Sequence, residues 1–179
     1  MASAAAVARY YAYKATKAVE LYRPIMYLYF ASAGLSFFQI TVLEAAYNVA
    51  TVAGEIPTGY LGDRLGRRNG LVLGTSVIAL TLFGIGAAGD AADPFPVFLG
   101  LYVCWSLGYT FRSGTEDAWL YDSLVDDDTS FSELRGRGES FALVSGVVAA
   151  VVGGYLGSVD LAYPFYAAAA VTGLGAVID

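Results

Sequence analysis

"GYLGDRLGRR", residues 59–68, sets four charges, Asp63, Arg64, Arg67 and Arg68, into six positions between two strongly apolar stretches. The composition around it says what kind of chain concentrates charge this way. With 57% apolar side chains, 15% charged residues and 21 glycines among 179 residues, the chain is too apolar and too glycine-rich for an ordinary soluble domain. It reads as an all-α integral membrane protein. Tyrosine is abundant, and its amphipathic ring favours the headgroup level of a bilayer.

A spanning helix needs about 20 predominantly apolar residues. Turn signals and charge clusters divide the chain into six such pieces, near 8–33, 37–60, 69–88, 95–123, 138–158 and 161–179. Arg64, Arg67 and Arg68 fall between the second and third, Arg135 and Arg137 between the fourth and fifth, and Arg9 precedes or opens the first. The opposite loops, "AGLSF", "AAGDAADP" and "GSVDLAYP", contain no Lys or Arg. Short cytoplasmic loops are the Lys/Arg-rich ones, so a multi-pass protein of the cell membrane with a cytoplasmic N-terminus is expected. No cleaved signal peptide is expected, because "MASAAAVARYYAYK" lacks a compact apolar core before a cleavage site.

Histidine is absent and Cys104 is the only cysteine. That removes the usual imidazole base and any Cys-based metal set, so an enzyme is not expected and neither a metal nor a cofactor is assigned. Cys104 lies in an apolar run, where a packing role is expected. No nucleic-acid partner is read. The net charge of −6 on a Lys-poor, His-free chain resembles the composition of proteins from salt-loving archaea; solvated acidic loops would account for it equally.

Ionisable residues inside spans cost about 2.5–3.5 kcal/mol each on insertion scales, so each is a functional candidate. In the first span Lys17, Glu20 and Arg23 share about a third of the helix circumference, and Glu20 can pair with either neighbour three positions away. Pro24 follows and would kink the helix. Alternatively the span begins near Arg23, and the earlier charges are cytoplasmic. In the second span Glu44, Asn48, Thr51 and Glu55 fall at offsets 0, 4, 7 and 11, one polar stripe suited to a water-filled cavity or another protein half. In the fourth, Arg112 and Glu116 are one turn apart with Asp117 adjacent. Arg112 either serves substrate or proton coupling or forms a structural ion pair with Glu116.

Gly59, Asp63, Arg64, Gly66, Arg67 and Arg68 match the pattern G-x-x-x-D-R-x-G-R-R, and by it the chain resembles the major facilitator superfamily of transporters. The resemblance implies that this gating motif joins helices two and three on the cytoplasmic face, with Asp63 latching two halves of the protein. It implies an N-terminal half, six transmembrane helices as two inverted three-helix repeats, with the C-terminal half absent and either that half or a second copy as partner. Lys17, Glu20, Arg23, Arg112, Glu116 and Asp117 would then line a central cavity for a small-molecule substrate. The arginine at 112 resembles the family's second signature, with Glu116 in place of its glycine. "ALVSGVVAAVVGGYLG" resembles a degenerate exporter motif, with Ala149 and Ala150 where Gly-Pro would stand, so export is the direction favoured. Proton coupling is expected through Glu20 or Glu116, since a low-dielectric site favours the neutral carboxyl.

The physical reading of the motif agrees in part. Gly59 and Gly62 would let backbones approach closely. Asp63 would cap a helix or pair with an arginine. The three arginines would hold the loop among anionic lipid headgroups of the bilayer, at about 1 kcal/mol each. A plain positive-inside anchor is the competing reading of the run. For the whole chain, the competing reading is a non-transporting membrane scaffold or sensor derived from a truncated transporter.

Overall fold

The computed structural model describes residues 20–124 and 131–178, except for the side chains of Asp63, Arg67, 114–124, 131–135 and 177–178. Those residues form helices α1 (Met26–Ser32), α2 (Phe37–Leu65), α3 (Arg67–Ala87), α4 (Pro94–Leu124), α5 (Phe131–Val159) and α6 (Tyr163–Ile178), with no strand among them. By length and composition, three stretches among them are apolar enough to cross a membrane: Arg68–Ala87, Pro94–Ser113 and Gly136–Val159. The all-α, membrane-embedded class is therefore what these residues build.

Local chemistry explains the boundaries. Among the described residues the first segment becomes helical at Met26, because residues 21–25 form turns around Pro24, with Arg23 N–H donating to Glu20 O and Ile25 N–H to Tyr22 O. The expected helix over 8–33 is thus interrupted at the proline within its described part, and Lys17 lies outside the described residues. Gly34, at φ 90°, then ends α1, with its own N–H on Ala31 O and that of Leu35 on Phe30 O. This is a C-terminal helix stop that a left-handed glycine supplies cheaply. Ser36 and Gln39 cap α2 reciprocally: Gln39 N–H donates to Ser36 Oγ (3.3 Å) and Ser36 N–H to Gln39 Oε1 (2.9 Å). Pro94 opens α4 at a position where a missing N–H costs nothing.

α2 runs on to Leu65, five residues beyond the expected end at 60, and only Gly66 separates it from α3. Asn69 Nδ2 donates to the Leu65 carbonyl (2.9 Å), satisfying an orphan acceptor at the end of α2.

α3 and α4 approach at two glycines. A Cβ added to Gly74 would stand 2.7 Å from Gly108 O, and one added to Gly108 would stand 3.0 Å from Gly74 O. Small residues at a helix contact allow this closeness where lipid supplies no hydrophobic force between helices. On α5, Gly153 lies against the Leu21 backbone and Gly157 against the Ile25 side chain, so the glycines of "VVGGYLG" seat the 21–25 turn.

Aromatic rings knit the core. Tyr29 and Phe165 stand 4.7 Å apart between centroids, and Phe30 and Phe98 stand 4.9 Å apart, all four buried. The Tyr29 hydroxyl donates to Ile85 O (2.8 Å) and Gly86 O (2.9 Å), at the end of α3 where helix carbonyls lack intrahelical partners. Tyr29→Phe is expected to lower stability by about 1 kcal/mol, the net worth of one buried hydrogen bond, read as a drop in thermal midpoint in detergent.

Large apolar side chains stand outside. Val49, Val52 and Ile56 on α2 and Val144, Val147 and Val151 on α5 are all exposed. Rows of this kind are costly in water and suit lipid or a protein neighbour. Cys104 is also exposed, contrary to the packing expected of it. It sits two residues from buried Tyr102, about 200° around α4, and so faces outward.

Candidate functional site

One face of α4 carries Tyr102, Trp105, Tyr109 and Arg112, at offsets 0, 3, 7 and 10. α2 meets it with Tyr47, whose ring lies 6.3 Å from Tyr102, 5.6 Å from Trp105 and 6.3 Å from Tyr109. The 21–25 turn and α1 close a third side. Together they enclose a cavity of about 260 Å³ lined by Tyr22, Arg23, Met26, Tyr27, Glu44, Tyr47, Tyr102 and Trp105.

Two of the expected charged residues line it. Arg23 forms an ion pair with Glu20, as their spacing of three suggested, and NH2 of Arg23 also donates to Glu20 Oε1 at 3.4 Å. The pair is half open to solvent, with the two side chains 71% and 35% exposed. Glu44 accepts from the Tyr27 hydroxyl (3.4 Å) and the Tyr102 hydroxyl (3.5 Å).

The rest of the α2 stripe behaves differently. Asn48 Nδ2 donates to its own helix at Glu44 O (2.8 Å), and Thr51 Oγ1 donates to Tyr47 O (2.8 Å). Glu55 is exposed. One face in sequence therefore divides into one residue in the cavity, Glu44, and three that do not line it.

Arg112 lies two turns along α4 from Trp105, close enough for its charge to act on Tyr22 and Tyr47. Its Nε is buried and has no hydrogen-bond partner among the described residues. The side chains of Glu116 and Asp117 lie outside the described residues.

The charged run of residues 59–68 sits at the α2–α3 junction, distant in sequence from every cavity residue. Arg64 lies over the Tyr60 ring, 4.5 Å from its centroid, a cation–π contact. Gly59 is exposed, and among the described residues nothing lies within 4 Å of an added Cβ there. Gly66 has the special backbone instead, at φ 85° and ψ 147°. Arg68 is exposed at the start of α3, and the side chains of Asp63 and Arg67 lie outside the described residues.

None of the aromatic residues that line the cavity stood out in the sequence, and Tyr109, on the same face of α4, does not line it. The available signal was the spacing of Tyr102, Trp105 and Tyr109 on the face that also carries Arg112.

The sequence pattern of the Major Facilitator Superfamily matches residues 15–178. The chain belongs to the major facilitator superfamily. An uncharacterised MFS-type transporter of Bacillus subtilis, YxaM, is 23% identical over 158 residues, which cover 87% of this chain and 38% of that protein. The riboflavin transporter RfnT of Brucella anthropi is 26% identical over 120 residues, covering 64% of this chain and 27% of that protein. The chain thus spans less than half the length of these superfamily relatives, and its membrane-embedded helices are those of a transporter family.

Proposed function

We propose that this chain is the amino-terminal, six-span half of a secondary transporter that moves a small solute by alternating access. The observation that carries this reading is the cavity between the 21–25 turn, α1, α2 and α4. It sets charged side chains among aromatic rings at the level of the apolar helices, where charge is costly and kept for a purpose. At about 260 Å³ it is smaller than the roughly 300–1,000 Å³ of complete ligand pockets, as expected of one wall whose other wall comes from a second half or a second copy. The N-terminus is cytoplasmic in this reading and the motif at residues 59–68 works as a cytoplasmic latch. In this reading transport runs outward and is coupled to protons through Glu20 or Glu116.

Arg112 supplies the test. The buried Nε of Arg112 has no hydrogen-bond partner among the described residues, which is a stability cost, so Arg112→Met should leave the thermal midpoint unchanged or raised. Flux of a labelled solute panel into proteoliposomes should fall at least tenfold. A variant that loses stability and flux together would make Arg112 a structural ion-pair member instead. Wild-type protein that moves no solute in the panel would favour the scaffold reading.

A further inference from the structure

Resting on the transport reading, the lining of the cavity specifies the class of solute. Five of its eight lining residues are aromatic: Tyr22, Tyr27, Tyr47, Tyr102 and Trp105. The planes of Tyr47 and Tyr102 meet at 77°, those of Tyr47 and Trp105 at 76°, and those of Tyr102 and Trp105 at 81°. Three rings at near right angles make a corner. Tyr22 adds a fourth ring, at 76° to Trp105. Ring faces carry the negative side of the aromatic quadrupole, and corners of this kind surround alkylated ammonium groups.

Of the two charged residues that line the cavity, Glu44 is the one without an ion-pair partner among the described residues. Arg23 is already paired with Glu20. Glu44 has only two tyrosine hydroxyls, at 3.4 and 3.5 Å, and among the described residues no cation stands within ion-pair distance of it. Those contacts are longer than ordinary O–H···O bonds, so the carboxylate keeps acceptor capacity toward the cavity. A partly exposed carboxylate beside five aromatic rings offers a cation both an opposite charge and ring faces. Arg112 does not fill that role, since it stands two helical turns beyond Trp105, about 10 Å along α4.

We propose that the cavity binds a monovalent organic cation of the alkylammonium or quaternary ammonium class. Its charge lies against Glu44 and its apolar substituents against Tyr47, Tyr102 and Trp105. The opposite class, an organic anion held by Arg23 or Arg112, is disfavoured because Arg23 is already paired with Glu20 and Arg112 does not line the cavity.

Equilibrium dialysis of radiolabelled tetraethylammonium against the protein at its native length in nanodiscs tests this. Labelled benzoate serves as the anionic comparison. Saturable tetraethylammonium binding is expected, weakened at least tenfold by Glu44→Gln and by Trp105→Leu, with Glu44→Asp retaining binding within a few-fold and benzoate not bound. The aspartate variant preserves the charge, so it separates loss of charge from loss of fold. No tetraethylammonium binding by the wild type, or equal binding by Glu44→Gln, overturns the assignment. Preferential benzoate binding overturns it in favour of an anion site. Binding is read here without any gradient or flux, so failure of the cation leaves the transport reading to be decided by the flux of Arg112→Met and wild type.

Discussion

Gly153→Ala is expected to destabilise the protein severely, while Gly154→Ala, one residue away, is expected to leave it intact or slightly firmer. An alanine Cβ at 153 would fall inside contact distance of the Leu21 carbonyl oxygen and 2.7 Å from the carbonyl carbon. The obstacle is backbone, so no rotamer change relieves it. Overpacking of a well-filled contact costs about 1–3 kcal/mol and more where backbone must move, and the backbone in question is the 21–25 turn that carries Tyr22 and Arg23 into the cavity. At Gly154 nothing among the described residues lies within 4 Å of an added Cβ, and replacing a mid-helix glycine by alanine gains up to about 1 kcal/mol. Thermal unfolding followed by size-exclusion chromatography in detergent reads both. Loss of the folded peak or a large fall in midpoint is expected for Gly153→Ala, and an equal or higher midpoint for Gly154→Ala. Matching midpoints for the two would show that α5 does not seat on the turn at Leu21.

The contrast between those neighbours shows what was readable in the sequence. Glycine spacing in "VVGGYLG" is itself a signal of close contact on α5, because small residues let membrane helices approach their neighbours. Which glycine makes the contact, and that its partner is an irregular turn instead of a helix, depends on where residue 21 lies in space. Helix class and rough ends were legible because apolar runs are punctuated by Gly34, Gly66, Pro94 and the charges around them. The capping pair of Ser36 and Gln39 was also legible, as Ser-x-x-Gln ahead of an apolar run.

The cavity was less so. Tyrosine and tryptophan serve in membrane proteins both as interface anchors and as walls, and periodicity places Tyr102 and Trp105 on one face without saying which use applies. The α2 stripe met the same limit. Offsets of 0, 4, 7 and 11 put four polar residues on one face, yet Asn48 and Thr51 spend their donors on their own helix and only Glu44 meets the aromatic wall. Side-chain hydrogen bonding back to the helix competes locally with long-range contact, and a sequence alone does not show which prevails.

Within the charged motif, Gly66→Ala is expected to cost about 1–3 kcal/mol, and Gly59→Ala nothing or a small gain. Gly66 is held at φ 85° and ψ 147°, a backbone region that side-chain-bearing residues rarely occupy. It is also the entire connection: α2 ends at Leu65 and α3 begins at Arg67, so no neighbouring loop residue can absorb a change in its dihedrals. Gly59 sits in helical backbone with open space around it. Gly34, at φ 90° on the other side of α2, provides a strain control away from the motif, and Gly34→Ala should also lower the thermal midpoint. A charge anchor that only held arginines in the cytoplasm would need no glycine at 66, because any flexible residue would keep Arg64, Arg67 and Arg68 near the lipid surface. A latch needs the two helices aimed, and a one-residue corner in a glycine-only conformation aims them. Gly66→Ala should therefore reduce flux in proteoliposomes beyond what its lowered stability accounts for, whereas Gly34→Ala should reduce stability with flux per folded molecule preserved. Equal flux per folded molecule in both would reduce the motif to an anchor.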